Sequence, residues 1–438
     1  MEGLWGAAEL SVDQKGKIKQ SIGNCIKALF YDERTKGMFK YNLMVDRVEI
    51  HGSWWNRSTE SLSDNDINNI RLFLEQNYGL THEKNIPRAI DIIAHQNVYH
   101  PIRDYLTGLE WDGVERIGNL FPKYLGAERC EYTTIATKVF MMGAIARVFK
   151  PGIKYDTMVC VVDDQQGGGK STMARFMAIK DEWFTDDIKN LDDENIYRKL
   201  QGHWIIEFSE MLATSNTKTV EAIKAFLSKL KDTYKIPYER YAQDIPRQCV
   251  FLGTTNNLNF LPNDKTGNRR FIPILADRKQ AEAHPLDNEQ ETREYVIKAW
   301  AAAMAIYKSG EYSLVFPKNM EKQLDELRED FTPEDPKVGI IQLWLDTCRY
   351  DSVCSILLYK EALGNENQEP KPWDLREIND IMNHNIVGWE KHPTKDQQVR
   401  FLKYGKQRAW DRSVHDKASP NGFMPVDSET EQMQLPFN

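Results

Sequence analysis

The sequence predicts an α/β fold, a P-loop NTPase core with a helical region before it and a small winged-helix-like domain after it. Three observations support this prediction. Short apolar runs alternate with amphipathic stretches between residues 157 and 275, as expected for a parallel sheet that is covered by helices. A glycine-rich segment joins the first of these runs to a helical stretch. Hydrophobic residues make up 41% of the 438 residues, which is enough for a sizeable core.

Composition and periodicity divide the chain into four parts. The first 60 residues show few periodic signals, so secondary structure is expected mainly after them. Pro333 and Pro336 mark Thr332–Val338 as a linker. The predicted parts are a mostly helical region over 1–130, the P-loop core over 131–330, a winged-helix-like domain over 338–412 and a flexible tail over 413–438.

The elements follow from local patterns. Ser63 can cap a helix that runs to Tyr78, and Pro151-Gly152 ends a helix that begins near Thr133. Continuous apolar runs predict buried strands, and the run that contains Pro273 is expected at a sheet edge. The predicted strands are 157–162, 204–208, 249–252 and 271–275, and the further predicted helices are 86–95, 170–179, 219–231, 288–307 and 374–382.

Charge and cysteine usage exclude several classes of protein. The formal net charge is −8, so any contact with nucleic acid must come from local basic patches. The six cysteines form no C-x-x-C pair, which argues against a disulfide framework or a zinc site. The N-terminus has no signal-peptide pattern, and no apolar run approaches the ~20 residues of a membrane span. We therefore expect a soluble cytoplasmic protein with no membrane partner.

A phosphate-binding loop is the sharpest motif. Residues 164–172 read DQQGGGKST and lie between an apolar strand and a helix. Glycines let backbone N–H groups surround phosphates, Lys170 would reach the β- and γ-phosphates of ATP, and Ser171 would ligate Mg²⁺. Asp164 stands where the first glycine of the usual pattern belongs, and the alternative is a chance glycine-rich turn. The predicted nucleotide-binding residues are Gln166, Gly167, Gly168, Gly169, Lys170, Ser171 and Thr172.

Polar side chains follow the next two predicted strands. Glu207 is placed to organise Mg²⁺, and Glu210 to orient the attacking water. Asn256, at the end of the following strand, can bridge the γ-phosphate and that water. Solvated strand ends and an Asn-rich turn are the alternative interpretations. The pair Arg269 and Arg270 can neutralise transition-state charge from a neighbouring subunit, unless it is a solvated surface pair.

Seven segments, from about Val98 to Ile274, resemble the virulence-associated E family. These are P-loop ATPases of phages and mobile islands that are related to superfamily 3 helicases in the AAA+ group. The segments are HPIRDYLTGLEWDG, QGGGKST, WFTD, WIIEFSE, EAIKAFLSK, PRQCVFLGTTN and TGNRRF. The resemblance implies a ring-forming ATPase that assembles as a hexamer. It would unwind or translocate on single-stranded or forked DNA during replication within a bacterial host cell. Members of the family often carry a primase domain ahead of the ATPase, and because only about 155 residues precede the P-loop strand, we expect any primase to be a separate polypeptide.

Three regions are candidates for partner contacts. Lys218–Arg247 carries seven basic and four acidic groups with interleaved tyrosines. The resemblance places a pore hairpin in this interval, with Lys235 and Arg240 as DNA contacts. The alternative is a solvated helix and loop. Lys391–Arg412 carries seven basic and two acidic groups, which suits either a DNA-binding winged helix or a solvated lid. Gln432–Phe437 resembles the peptides that dock on the bacterial sliding clamp.

Two other functions are alternatives to a DNA helicase. A nucleotide-switched AAA+ assembly or defence ATPase would oligomerise without processive unwinding, and Asp164 and the separated carboxylates keep that reading open. A P-loop phosphotransferase is disfavoured by the long polar flanks and by the arginine pair.

Overall fold

The N-terminal part of the chain contains both helices and a small sheet. The sheet consists of β1 (Phe39–Asn42), β2 (Arg47–Ile50) and β3 (Val98–Tyr99) in the order β2-β1-β3. Strand β1 is antiparallel to β2 and parallel to β3. The elements of this part are α1 (Ile22–Tyr31), β1 (Phe39–Asn42), β2 (Arg47–Ile50), α2 (Asp64–Tyr78), α3 (Asn85–Gln96), β3 (Val98–Tyr99), α4 (Pro101–Thr107) and α5 (Leu120–Leu125). The computed structural model describes residues 9–188, 191, 196–210, 217–234, 243–261, 268–333 and 335–413.

The expectation of few elements before residue 60 is wrong. Helix α1 begins after Ser21, whose side chain accepts a hydrogen bond from Asn24 N, and β1 and β2 form an antiparallel hairpin. These elements are short, so their periodic signal is weak, and they are stabilised by packing against α2 and α3. The prediction for α2 is confirmed: Ser63 and Asp66 form a reciprocal capping box.

A five-stranded parallel sheet forms the centre of the first compact unit, residues 1–333. Its order is β10-β4-β9-β6-β5, and Pro273 lies on the edge strand, as predicted. The strands and helices of this part are α6 (Glu131–Phe149), β4 (Met158–Val162), α7 (Lys170–Met177), β5 (Phe184–Thr185), α8 (Ile196–Leu200), β6 (Ile205–Ser209), α9 (Thr217–Leu227), β7 (Lys231–Tyr234), β8 (Gln243–Pro246), β9 (Val250–Thr255), β10 (Phe271–Leu275), α10 (Glu289–Ser309) and α11 (Glu321–Asp330).

Both faces of this sheet are buried, which explains the continuous apolar runs. Val159 and Val161 of β4 contact one hydrophobic cluster, with α6, α7 and α10, while Cys160 and Val162 contact another, with α9. Helix α9 ends four residues earlier than predicted, because β7 begins at Lys231. All carboxyl ends of the parallel strands meet at one edge, where polar side chains gather.

The described residues after 334 belong to a second compact unit, and the predicted tail lies, from residue 414 on, outside the described residues. Its described part has three helical segments and a three-stranded antiparallel sheet of order β11-β15-β12, with a separate hairpin of β13 and β14. Asp335 caps the first helix, so that helix begins within the predicted linker. The elements are α12 (Pro336–Thr347), β11 (Ser352–Val353), α13 (Ser355–Leu357, continued by a π-turn over Leu358–Ala362), α14 (Pro372–His384), β12 (Trp389–Lys391), β13 (Gln398–Phe401), β14 (Gly405–Arg408) and β15 (Trp410–Arg412).

Within the described part of the chain, no helix has the length and hydropathy that crossing a lipid bilayer requires.

Candidate functional site

The glycine-rich loop connects the carboxyl end of β4 to the first turn of α7. Gly167 and Gly169 adopt left-handed backbone conformations with φ of 75° and 85°. A Cβ atom at Gly168 would collide with Oδ2 of Asp163. Asp163 lies beneath the loop, and its Oδ1 accepts a hydrogen bond from Gln165 N at 2.9 Å. The loop therefore needs glycine for conformation at two positions and for space at the third.

Asp163, and not Asp164, is the acidic residue packed against this loop. Asp163 is buried at 2% exposure, whereas the Asp164 side chain is exposed to solvent. The departure from the usual loop pattern at Asp164 thus places no carboxylate inside the loop.

Lys170 is buried at the start of α7 and is held by the loop and by β9. Its ammonium donates to Asn256 Oδ1 at 2.7 Å and to the carbonyl oxygen of Gln165 at 3.2 Å. Burial lowers the pKa of Lys170, while the Asp163 carboxylate, 3.9 Å away, opposes that shift. Lys170 and Asn256, which the sequence assigned to the same phosphate group, are therefore in direct contact.

Glu207 lies on β6, between β9 and β5, with no exposed surface, and its two oxygens have different environments. Oε1 accepts hydrogen bonds from Ser171 Oγ at 2.6 Å and from Thr254 Oγ1. Oε2 is buried without a hydrogen-bond partner. Burial raises the pKa of Glu207, and the two hydroxyl donors oppose that rise. Burying a carboxylate oxygen without a hydrogen-bond partner lowers the stability of the fold, so Oε2 is a candidate to bind a ligand.

Glu210 follows β6 and lies beside Asn256. Asn256 Nδ2 donates to Glu210 Oε1 at 3.1 Å, and Glu210 N donates to the carbonyl oxygen of Thr254 at 3.0 Å. The backbone of Glu210 has a φ of 49°, a left-handed conformation that is uncommon for this residue type and that is found often at functional sites. The strand end thus holds Glu210 toward the amide of Asn256.

The glycine-rich loop, Lys170, Glu210 and Asn256 line a cavity of about 390 Å³ at the carboxyl edge of the sheet, and Glu207 lies behind Ser171 and Thr254. All of the predicted nucleotide-binding residues contribute to its lining, and so do Glu210 and Asn256. The lining residues are Gln166, Gly167, Gly168, Gly169, Lys170, Ser171, Thr172, Ser209, Glu210, Thr254, Thr255 and Asn256.

Arg269 and Arg270 lie at the opposite edge of the sheet. They precede the five-residue strand β10, which is parallel to β4, so about 16 Å of strand separates them from the carboxyl edge. Arg269 is exposed, whereas Nε of Arg270 donates to Ser228 Oγ at 3.0 Å and lies 3.6 Å from Asp156 Oδ2. Within one subunit, the structure does not bring either arginine to the cavity.

The connection between β10 and α10, residues 276–288, borders the glycine-rich loop, although the sequence did not single it out. A Cβ atom at Gly167 would lie 3.7 Å from Nη1 of Arg278, and one at Gly169 would lie 3.1 Å from Nε2 of His284. Leu286 N donates to Nδ1 of His284 at 3.2 Å, so in the neutral ring Nε2 carries the proton and is a donor. The sequence indicates this contact only by placing a cationic residue, Arg278, and an imidazole, His284, in the connection after β10.

This segment is fixed by α5. Asp277 N donates to the carbonyl oxygen of Leu125 at 3.0 Å, and Ala276 N donates to that of Val162 at 2.7 Å. Gly126, with a φ of 66°, ends α5 so close to the segment that a Cβ atom there would collide with the carbonyl oxygen of Asp277. Arg278 is therefore positioned by backbone contacts on both sides of the connection.

The predicted DNA contacts fall largely outside the described residues. Strands β7 and β8 form an antiparallel hairpin, whose base is held by a buried ion pair between Arg247 and Asp232 at 2.7 Å. Lys235 and Arg240, between these strands, and Gln432–Phe437 in the tail lie outside the described residues.

Comparison with known proteins identifies one family. Two solved A-form apo structures of the NrS-1 C-terminal region align with 86% of this chain, at 13% identity, 96% coverage of that chain and a TM-score of 0.47, and at 16% identity, 97% coverage and a TM-score of 0.44. No curated protein matches significantly. Residues 106–333, just over half of the chain, match the virulence-associated protein E-like domain, and the chain therefore belongs to the virulence-associated protein E-like family.

Proposed function

We propose that this chain is an ATP-dependent DNA helicase or translocase that works as a ring oligomer, in the superfamily 3 branch of the AAA+ ATPases, during replication of a phage or mobile genetic element. The observation that carries the proposal is the arrangement around Lys170. One sheet edge combines a glycine-rich loop, a buried lysine, a hydroxyl bonded to a buried carboxylate, and a second carboxylate bonded to an amide. Those are the groups that binding and hydrolysis of a nucleoside triphosphate require.

The loop supplies the binding energy for the triphosphate. Backbone N–H groups of residues 167–170 and the N-terminus of α7 would surround the β-phosphate. Lys170 would exchange its bonds to Asn256 and to the Gln165 carbonyl for phosphate oxygens, which are stronger acceptors for a cation.

The residues present fit a Mg²⁺ ion. Ser171 Oγ and the partnerless Oε2 of Glu207 are oxygen donors of the kind that Mg²⁺ prefers, and together with phosphate oxygens and water they would hold it. Bound Mg²⁺ would neutralise charge on the β- and γ-phosphates. Thr254 would keep Glu207 oriented through Oε1.

Glu210 and Asn256 are the residues that we assign to the attacking water. Their direct hydrogen bond of 3.1 Å places an acceptor and a donor side by side on the cavity wall. Glu210 would accept a proton from the water, and Asn256 would hold the water against the γ-phosphate once Lys170 has moved to the phosphates. Both acids of the sequence motif thus have separate tasks, with Glu207 assigned to metal binding.

Arg269 or Arg270 would act on the nucleotide of the neighbouring subunit. Their position about 16 Å of strand from the cavity, at the other edge of the sheet, is compatible with action in trans and argues against action in cis. A ring, hexameric by family resemblance, supplies such a neighbour. Lys235 and Arg240 would contact DNA in the pore, a separate primase would act with the ring, and Gln432–Phe437 would dock on a sliding clamp.

The deciding experiment measures ATP hydrolysis and strand separation on a forked DNA substrate. We expect DNA-stimulated hydrolysis with Mg²⁺, loss of hydrolysis in Lys170→Ala, and full activity in Lys322→Ala, which removes a lysine whose side chain is 91% exposed. Hydrolysis without strand separation, stimulated by a protein partner alone, would instead indicate a nucleotide-switched assembly ATPase. If saturating ATP neither binds nor raises the melting temperature, the proposal is wrong.

A further inference from the structure

The hairpin of β13 and β14 in the second unit is strongly basic. Residues 398–408 contain Arg400, Lys403, Lys406 and Arg408 and no acidic residue. All four basic side chains are exposed. Among the described residues 335–413, one of these four basic side chains forms an ion pair. Lys406 lies 3.0 Å from Asp396, and both side chains are more than half exposed. Such a pair contributes little to stability.

The strand register places the cations on one face. Arg400 is directly opposite Lys406, and Gln398 is directly opposite Arg408. Because side chains alternate between faces, these four residues share the outward face of the hairpin. Like charges that face each other across an antiparallel pair are destabilising, so folding alone does not explain this face. A polyanion bound there would remove the repulsion.

The other face of the hairpin is anchored to its own unit. Phe401 and Tyr404 pack against the hydrophobic cluster of the unit, and Tyr404 Oη donates to Glu361 Oε1 at 3.0 Å. The tip residue Leu402 is fully exposed. The hairpin is thus a supported projection, with cations on the outward side and an apolar side chain beside Lys403 at the end.

Helix α14 has the opposite charge. It carries Asp374, Glu377 and Asp380 against one arginine, Arg376. A helix with this balance is poorly suited to the phosphate-lined major groove of DNA. In this unit the hairpin, rather than the helix, has the charge that a nucleic-acid backbone requires.

We propose that the outward face of the β13–β14 hairpin binds the sugar-phosphate backbone of double-stranded DNA, with Leu402 and Lys403 directed at a groove. Arg400, Lys406 and Arg408 neutralise phosphates, and an exposed apolar tip flanked by a cation suits contact with the base edges and sugars of the minor groove. This contact needs no nucleotide, and it adds a duplex-binding site to the single-strand contacts assigned to the pore.

The test measures binding of the full chain, without ATP, to a fluorescent dumbbell duplex that has no single-stranded ends. The variant Arg400→Gln/Lys406→Gln/Arg408→Gln removes three phosphate contacts. We expect its affinity to fall by a factor on the order of a hundred at 0.1 M salt, and the slope of log K against log[salt] to fall by about 2.7.

Two matched variants distinguish the hairpin charges from other causes. Arg349→Gln/Lys371→Gln/Arg376→Gln makes the same change in net charge at exposed positions of the same unit and should bind like the wild type. Leu402→Ala keeps every charge of the hairpin and should keep the wild-type salt slope. The melting temperature of the hairpin variant should equal or exceed that of the wild type, because like charges have been removed.

Several results would overturn the proposal. Equal losses in the hairpin variant and its charge-matched control would assign binding to net charge. Wild-type affinity in the hairpin variant would remove the site, and equal losses for duplex and for single-stranded DNA would show a general anion surface instead of a duplex site. None of these outcomes depends on ATP hydrolysis, so the proposal can fail while the proposed function holds.

Discussion

Replacing Glu207 by Gln should make the protein more stable and its nucleotide binding independent of Mg²⁺. Glu207 has no exposed surface; Oε1 accepts two hydroxyl donors, while Oε2 has no partner. Gln keeps an oxygen for the two hydroxyls and removes the buried charge. The amide nitrogen that takes the place of Oε2 is also buried without a partner, but burying a neutral amide costs less free energy than burying a charge, so we expect the free energy of unfolding to rise by about 1 kcal/mol. The melting temperature of a unit of this size should rise by a few degrees.

The gain should depend on pH in a defined direction. Burial raises the pKa of Glu207 in the folded protein, so the folded state binds this proton more tightly than the unfolded state does. The wild type is therefore favoured at low pH and loses this stabilisation as pH rises from about 4.3, the pKa of an unperturbed Glu, through the raised value. The stability difference between Glu207→Gln and the wild type should grow over that window and then stay constant.

Differential scanning fluorimetry with ATP, with and without Mg²⁺, checks both effects. We expect Mg²⁺ to increase the ATP-induced shift of the wild type and to add nothing to that of Glu207→Gln. Ser209→Ala, a change at a neighbouring lining residue that takes no part in the proposed metal site, is the control and should keep the Mg²⁺ dependence. An undiminished Mg²⁺ effect in Glu207→Gln would refute the assignment of the metal to Glu207, whatever its stability.

Three further predictions follow from other contacts. Arg278→Ala should weaken ATP binding about tenfold, because it removes one charge-assisted contact, and Arg278→Lys should have an intermediate effect. A titration with a fluorescent ATP analogue measures the Kd, and an unchanged Kd would show that Arg278 does not contact the nucleotide. Gly168→Ala should lower both the melting temperature and ATP affinity, because the methyl group meets Asp163, whereas Gly23→Ala, with space in α1, should not. Arg247→Met should cost about 3–5 kcal/mol in urea unfolding by leaving Asp232 buried and unpaired, while Lys231→Met, in the exposed pair with Asp244 on the same hairpin, should leave the unfolding curve unchanged.

The central sheet was predictable because burial on both faces leaves a direct record in the sequence. Strands β4, β6, β9 and β10 appear as continuous apolar runs, and the edge position of β10 followed from Pro273. The strand β5, with two residues, and the short elements α1, β1 and β2 depend on tertiary contacts and left no comparable signal. The hairpin β7–β8 was expected from family resemblance and not from periodicity.

The site was predictable where its residues stand in order along the chain. The loop lines one cavity with Glu210 and Asn256, and Glu207 of β6 contacts the loop through Ser171, because parallel strands end at one edge. The sequence could not show that Glu207 has one partnerless oxygen, that Asp163 supports the loop in place of Asp164, or that Arg278 approaches it. Those facts depend on side-chain packing across segments that are distant in sequence.

Gly126 links the end of α5 to the cavity beside the glycine-rich loop, although it contributes nothing to the cavity wall. A side chain at Gly126 would displace the backbone of Asp277, the neighbour of Arg278, and break its hydrogen bond to Leu125 of α5. Variants at this position would therefore weaken nucleotide affinity while every residue that lines the cavity keeps its identity. In a genetic screen, such variants would have the same phenotype as substitutions in the glycine-rich loop. Second-site suppressors would be expected in the connection between β10 and α10, and not in that loop.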